Sequence, residues 1–198
     1  DHAMLGAYLT DLKLRCLDLL EKHDVDTTLI PVMARGLNDH EIGRIVDLAL
    51  SKRNVRHVEV HTITYTGQGG ASFDRGRRMS IHEVLGAIEA TTGGRLRPDD
   101  FVPSPCAHSL CYQIAYLLVD PEGGAPVSFT RFLGREARYE SLSEHLYLEP
   151  SARLQNALQD AINRLWSEDD AESARVLRML DRMLRDLFPA GRAISREE

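Results

Sequence analysis

A helix between two short runs of β-branched and aliphatic residues most constrains how this chain folds. The first run, at 27–33, reads TTLIPVM, and the second covers 55–64. Between them Asn38 and Glu41 have the spacing of a capping box, and apolar residues follow at helical intervals to Ala49. The order strand–helix–strand predicts two parallel strands joined by a right-handed crossover.

Further helices are expected on either side of this unit. One begins at Thr10 or Asp11 and ends near His23, and another begins at a second capping box, Ser80 with Glu83. The apolar face expected on the first of them comprises Leu12, Cys16, Leu19 and Leu20. Because two strands cannot bury both faces of a sheet under so many helices, this part of the chain is typical of the second half of a larger α/β barrel or open sheet.

The pattern changes after residue 97. Runs at 112–119 and 125–133 flank a Pro/Gly turn and predict a β-hairpin, although the residues at 109–119 also fit a helical period. Beyond Pro150 two apolar stripes joined by a polar stretch predict a helical hairpin. The stripes are Leu154, Ala157, Leu158, Ala161, Ile162 and Leu165, then Leu177, Leu180, Leu184 and Leu187. We therefore expect three parts, at 1–96, 97–134 and 135–198.

Two of the three cysteines stand close together in a proline-rich loop. Cys106 and Cys111 enclose His108, and three prolines precede them between residues 97 and 105. Thiolates suit zinc or an iron–sulfur cluster, and imidazole suits zinc or a Rieske-type iron. Structural zinc takes four ligands and most clusters take three or four cysteines, so this set is incomplete. Spacing alone favours a metal site and a pair of ordinary loop cysteines about equally.

Charge and hydropathy exclude some classes of function. The net charge is −6, which argues against a nucleic-acid binder that relies on phosphate contacts. The longest apolar runs, such as 114–119, are too short for a transmembrane segment, and the first residues do not resemble a secretion signal. A cytoplasmic protein with a reducing environment for its cysteines is the expectation.

Several stretches resemble one enzyme superfamily. Residues 29–43, LIPVMARGLNDHEIG, resemble the passage from strand 5 to helix 5 of radical S-adenosylmethionine enzymes related to molybdenum-cofactor synthesis. Residues 65–69, 80–94 and 99–111 are similar to the branch that includes tetraether-lipid synthase and pterin-methylating enzymes. The resemblance covers about residues 9 to 133.

The resemblance implies a partial TIM-type (β/α) barrel, S-adenosylmethionine as cofactor and a 5′-deoxyadenosyl radical that abstracts hydrogen. The substrate would be a small molecule or a lipid with an unactivated carbon, and the reaction carbon–carbon coupling or methyl transfer. By this resemblance Arg35, His61 and Thr62 would lie near the nucleoside. Cys106 and Cys111, with His108 as a further candidate, would bind an auxiliary [4Fe-4S] cluster, and zinc is the alternative.

One departure from that superfamily decides what this polypeptide can do alone. The defining cysteine triplet is absent, so the chain by itself should not cleave S-adenosylmethionine. We therefore expect the C-terminal portion of a radical enzyme, which requires an N-terminal half of the same enzyme with the triplet. The alternative is a non-catalytic α/β module that binds zinc or iron and acts as a scaffold.

A polar row in the second predicted strand bears on this choice. His57, Glu59 and His61 alternate, so they share one face, while Val58 and Val60 occupy the other. Facing the inside of a barrel, the polar row would form a site, whereas facing solvent it would be an outer edge. The aliphatic character of the opposite face favours the site, because that face is suited to packing beneath helices.

Overall fold

The fold is described from a computed structural model, which covers residues 2–65, 74–104, 112–120, 123–134, 136–138, 150–167 and 171–189. The chain divides into two compact units, an N-terminal unit of residues 1–97 and a C-terminal unit of residues 98–198. The three-part division expected from the sequence stays a prediction.

Two parallel strand pairs form the sheet of the N-terminal unit. Strand β1 (Thr27–Leu29) pairs with β3 (Val55–Val58), and β2 (Val32–Met33) pairs with β4 (His61–Thr62). Backbone hydrogen bonds continue between the pairs, from Glu59 N to Leu29 O at 2.8 Å and from His61 N to Pro31 O at 3.0 Å. The two predicted runs therefore lie side by side in parallel, as the sequence indicates.

Helices α1 (His2–Leu5), α2 (Thr10–Lys22), α3 (Ile42–Ser51) and α4 (Ile81–Thr91) complete this unit. Helix α3 makes the crossover between the strands and packs against both β3 and α4. The capping box at α4 is confirmed, because the Ser80 hydroxyl accepts from the Glu83 amide and the Glu83 carboxylate accepts from the Ser80 amide.

The capping box predicted for α3 is wrong. A 3₁₀ turn, Asp39–Glu41, comes before α3, and the Asn38 side chain instead accepts from Ala34 N at 2.8 Å and donates to Val32 O at 2.8 Å. The amide thus closes the turn that follows β2. An asparagine competes for nearby backbone groups in both situations, so the sequence pattern alone could not separate them.

The apolar face predicted for α2 is present, but the expectation that it is buried is wrong. Leu17 is its one buried residue, whereas Leu12 is 51% exposed, Leu19 is 57% exposed and Cys16 is exposed. Leu9, not Thr10 or Asp11, occupies the N-cap position, and it makes no side-chain cap. The predicted stripe does lie on one side of the helix, but in this chain that side faces outward.

The C-terminal unit contains two short antiparallel strand pairs. Strand β5 (Val102–Pro103) pairs with β6 (Gln113–Ile114), and β7 (Leu117–Leu118) pairs with β8 (Val127–Ser128). The second pair spans the predicted turn, so the hairpin is present but shorter than expected, because a 3₁₀ turn occupies Phe129–Phe132. Within 112–119 the structure has strands and not the alternative helix.

Helices α5 (Ala152–Leu165) and α6 (Ala171–Leu187) pack against each other and form most of the core of this unit. All six residues of the first predicted stripe are buried. The second stripe is rotated, since Val176, Met179 and Leu180 are buried while Leu177, Leu184 and Leu187 are only partly buried. Val176 and Met179 are buried at positions that a pattern based on leucine alone does not include.

The expectation of a mixed α/β protein is confirmed. Each strand of the described residues has a single partner strand, and these residues do not close a barrel. Within the same residues, no helix combines the length and the apolar character needed to cross a membrane.

Candidate functional site

The first strand run, β1 with β2, and the second, β3 with β4, are parallel, and their carboxyl ends meet at one edge of the N-terminal unit. Met33 and Ala34 are completely buried where the first strand ends, and Ile63 N donates to Met33 O at 3.0 Å where the second one ends. In open α/β sheets this edge is where ligands bind, because the loops that leave it can surround a small molecule. The polar residues that follow each strand are therefore the first candidates for a site.

Arg35 is fixed at this edge by a reciprocal contact with Arg77. Arg35 N donates to Arg77 O at 2.8 Å, and the Arg77 guanidinium donates to Arg35 O at 3.1 Å. The Arg35 side chain pairs with Glu83 in the first turn of α4, and half of it stays exposed. Two guanidinium groups are thus held near the start of α4. Guanidinium groups are suited to binding an anionic group of a ligand.

The Glu83 carboxylate is the negative centre of this edge. Hydrogen bonds from the Ser80 amide and hydroxyl, together with the charge of Arg35, hold the pKa of Glu83 below its usual range. Nearby, the Gly36 amide donates to Asp39 at 3.0 Å and lowers the pKa of that carboxyl as well. Both groups are therefore ionised at neutral pH and balance part of the arginine charge.

His61 pairs with Glu59 on the open face of the sheet. His61 Nε2 lies 3.0 Å from Glu59 Oε1, with 51% and 37% of their side chains exposed. Thr62, the next residue, has the opposite orientation and is half-buried. Of the three residues predicted near a nucleoside, Arg35 and His61 are exposed at or near the edge. Thr62 is the last residue of β4 and is half-buried.

Tyr65, after the second strand, is hydrogen-bonded to residues 74 and 75. Its hydroxyl donates to the carbonyls of Asp74 at 3.2 Å and Arg75 at 3.0 Å. Residues 65 and 74 are therefore held close together, at the edge that also carries Arg35 and Arg77. Neither Tyr65 nor Glu83 was identified from the sequence as a site residue. The capping box was the signal for Glu83, and its partner Arg35 is 48 positions away.

The predicted metal ligands Cys106, His108 and Cys111 lie outside the described residues. The residues on either side of them are described, and Ser104 N donates to Tyr112 O at 3.1 Å beyond the β5–β6 pair. The described residues that flank 105–111 are thus joined by antiparallel backbone pairing. Within the described ranges no three or more His, Cys, Asp or Glu side chains are grouped as metal ligands.

The C-terminal unit also contains an ion pair whose carboxylate partner is buried. The Asp100 carboxylate, 3% exposed, accepts from Arg131 Nε and from Arg131 Nη2, both at 2.7 Å. This bond raises the pKa of the Arg131 guanidinium. The Thr130 hydroxyl donates to Asp100 O at 2.8 Å and so ties the 3₁₀ turn at 98–100 to the turn at 129–132. The cluster fixes the residues that lead into β5.

Comparison with known proteins finds a distant relative of the chain. No family model matches the chain. The chain is similar to the 7,8-dihydro-6-hydroxymethylpterin dimethyltransferase of Methanocaldococcus jannaschii, with 25% identity over 163 residues. The match covers 71% of this chain and 32% of the relative, so the chain spans about a third of the length of that enzyme.

Proposed function

We propose that this chain forms the C-terminal portion of a radical S-adenosylmethionine methyltransferase that acts on a pterin. The observation that carries the proposal is the similarity to a pterin dimethyltransferase over 71% of the chain. It agrees with the resemblance of residues 29–43 and 99–111 to the branch that contains pterin-methylating enzymes. The parallel strands with an exposed polar edge are compatible with one wall of a partial (β/α) barrel.

In this proposal the carboxyl edge of the N-terminal unit lies near the nucleoside of S-adenosylmethionine. Arg35 and Arg77 provide positive charge for a carboxylate. His61 and Thr62, which point to opposite faces of their strand, are the proposed polar residues near the nucleoside. The cofactor, when bound and reduced, supplies the radical that removes hydrogen from an unactivated carbon. The residues of this chain bind and orient the reactants and keep water from them.

The cluster that cleaves the cofactor requires residues outside this sequence. No cysteine triplet with the superfamily spacing occurs among the three cysteines. We propose that an N-terminal half of the same enzyme carries it, since the chain corresponds to only a third of its relative's length. Alone, the 198 residues should then be inactive.

Cys106 and Cys111, with His108 as a further donor, are proposed to bind an auxiliary iron–sulfur cluster, or zinc in its place. The donor set is chemically suited to either metal, but at two thiolates and one imidazole it is short of a full set. The backbone pairing of Ser104 with Tyr112 supports the proposal, because it brings together the two ends of the segment that contains all three residues.

The test of the proposed function is a turnover experiment on the product of the complete reading frame. The protein is reconstituted anaerobically with iron and sulfide and given S-adenosylmethionine, a reductant and 7,8-dihydro-6-hydroxymethylpterin. We expect reductive cleavage of S-adenosylmethionine to methionine and 5′-deoxyadenosine that depends on the presence of the pterin. A protein that binds iron or zinc and forms no 5′-deoxyadenosine would instead be the non-catalytic α/β scaffold.

A further inference from the structure

The sheet of the N-terminal unit has an open face with two kinds of side chain next to each other. Ile30 is 56% exposed and Val32 is 37% exposed, although both belong to the aliphatic run of the first strand. Val32 is in register with His61, and the backbone bonds on either side of Ile30 place it alongside Glu59. Since residues in register on parallel strands point to the same face, two aliphatic side chains adjoin the Glu59–His61 pair.

The Glu59–His61 pair presents hydrogen-bond acceptors to this face in the tautomer in which Nε2 of His61 is the donor between them. A neutral imidazole that donates from Nε2 to a carboxylate keeps Nδ1 as an acceptor. The second oxygen of Glu59 is also an acceptor, and within the part of the chain that the structure describes neither side chain makes another hydrogen bond. Two acceptors thus lie beside an apolar surface formed by Ile30 and Val32.

We propose that this face binds the bicyclic ring of the pterin, an inference that rests on the proposed function. Ile30 and Val32 pack against the flat ring, and Glu59 and His61 accept hydrogen bonds from its pyrimidine edge. That edge carries two neighbouring N–H donors, the ring N3–H and the 2-amino group. One of these donors faces the second oxygen of Glu59 and the other faces Nδ1 of His61.

The acceptor pattern distinguishes the pterin from the adenine of the cofactor. Each hydrogen-bonding edge of adenine combines the N6 donor with an acceptor, N1 or N7. An acceptor of the protein placed opposite N1 or N7 would be left without a partner, which disfavours binding. His61 stands next to the edge proposed for the nucleoside, so a pterin on this face would lie adjacent to the cofactor.

The test is a binding titration of the 198-residue chain with 7,8-dihydro-6-hydroxymethylpterin and, separately, with 5′-deoxyadenosine. We expect Glu59→Gln and His61→Asn each to weaken pterin binding by about tenfold or more, because each replaces an acceptor by a group that can present a donor. Val32→Glu places a charge on the apolar surface and should weaken it as well. The matched controls are His23→Asn, at the end of α2, and Glu89→Gln, in α4; both should bind the pterin like the original chain.

Circular dichroism of every variant establishes that it is folded before binding is compared. The inference is overturned if the original chain does not bind the pterin, if folded Glu59→Gln and His61→Asn bind it with unchanged affinity, or if Glu59→Gln loses 5′-deoxyadenosine binding instead. Such a result leaves the proposed function standing when the complete enzyme still forms 5′-deoxyadenosine in a reaction that depends on the pterin. Absence of 5′-deoxyadenosine in that assay contradicts the proposed function itself.

Discussion

Gly43, in the first turn of α3, lies directly against Thr91 at the end of α4. A Cβ atom placed on Gly43 would come within 2.6 Å of the Thr91 carbonyl carbon and 3.0 Å of its Cβ, and closer still to the carbonyl oxygen. The obstruction is backbone, which cannot move aside as a flexible side chain would. The missing side chain is therefore what allows the two helices to approach each other.

Gly43→Ala should destabilise the N-terminal unit by about 1–3 kcal/mol, the usual cost of forcing extra volume into a packed contact. Urea unfolding followed by circular dichroism measures it. Gly86→Ala is the matched control, because Gly86 lies in α4 and a Cβ there would meet nothing within 4 Å. That variant should gain about 0.5–1 kcal/mol from helix propensity. Equal effects of the two substitutions would contradict the close approach of α3 and α4.

Glu83 should make the stability of the N-terminal unit depend on pH. Its pKa is lower in the folded chain than the ordinary value of 4.5, so the unfolded chain binds more protons between the two values. The stabilisation is complete above about pH 4.5 and is lost as the pH falls through the folded pKa. Unfolding in urea from pH 7 to pH 3 should show a smaller loss of stability for Glu83→Gln than for the original chain. Glu89→Gln, which removes a carboxylate from the same helix outside the capping box, is the control.

Asp100→Asn should destabilise the C-terminal unit by about 1–3 kcal/mol, because it removes the charged acceptor of two hydrogen bonds from Arg131, whose side chain is 32% exposed. Thermal unfolding at neutral pH is the measurement. Asp99→Asn is the control, since the neighbouring residue is exposed and the substitution is the same. If both variants unfold at the same temperature, the Asp100–Arg131 pair contributes nothing to stability.

Replacement of Cys106 and Cys111 by alanine should lower the iron and sulfide content of the anaerobically reconstituted full-length protein. The two thiolates are the softest ligands in the proposed auxiliary site. Cys16→Ala provides the control, because Cys16 is exposed on α2 and belongs to the N-terminal unit. Unchanged iron in the double variant would remove the auxiliary cluster from the proposal.

The outward-facing stripe of α2 should make the chain associate when it is expressed alone. Leu12 and Leu19 are more than half exposed, and each strand of the adjacent sheet has an edge without a partner among the described residues. On a sizing column Leu12→Glu with Leu19→Glu should shift the chain towards the monomer. Leu14→Glu, 40% exposed and on another side of the helix, should have less effect. A sharp monomer peak for the original chain would favour a self-sufficient domain.

The sequence predicts which elements form better than it predicts which way they face. The period of the residues from Leu154 to Leu165 identifies the buried side of α5 correctly, because both that helix and its partner lie in this chain. The same reasoning fails for α2, where an equally regular stripe is exposed. An apolar stripe indicates which side of a helix is suited to burial. It does not indicate whether the surface that packs against that side belongs to the same polypeptide.

For the candidate site too, the sequence predicts local features better than contacts between distant residues. The alternation of Glu59 and His61 indicates their shared face, since the period of a strand is a local property. The partnership of Arg35 with Glu83 and with Arg77 is not visible in the sequence, because it joins loops more than 40 positions apart. Asn38 shows the opposite difficulty, in which one residue suits two local roles and tertiary structure selects between them.

The hydrogen bond from Ser104 N to Tyr112 O uses main-chain atoms only. Any residue except proline could make it from position 104, and every residue could accept it at position 112. What limits substitution at position 104 is space, since Ser104 is only 1% exposed. For protein engineering, a small residue other than proline at 104 is therefore the requirement for keeping this main-chain pairing.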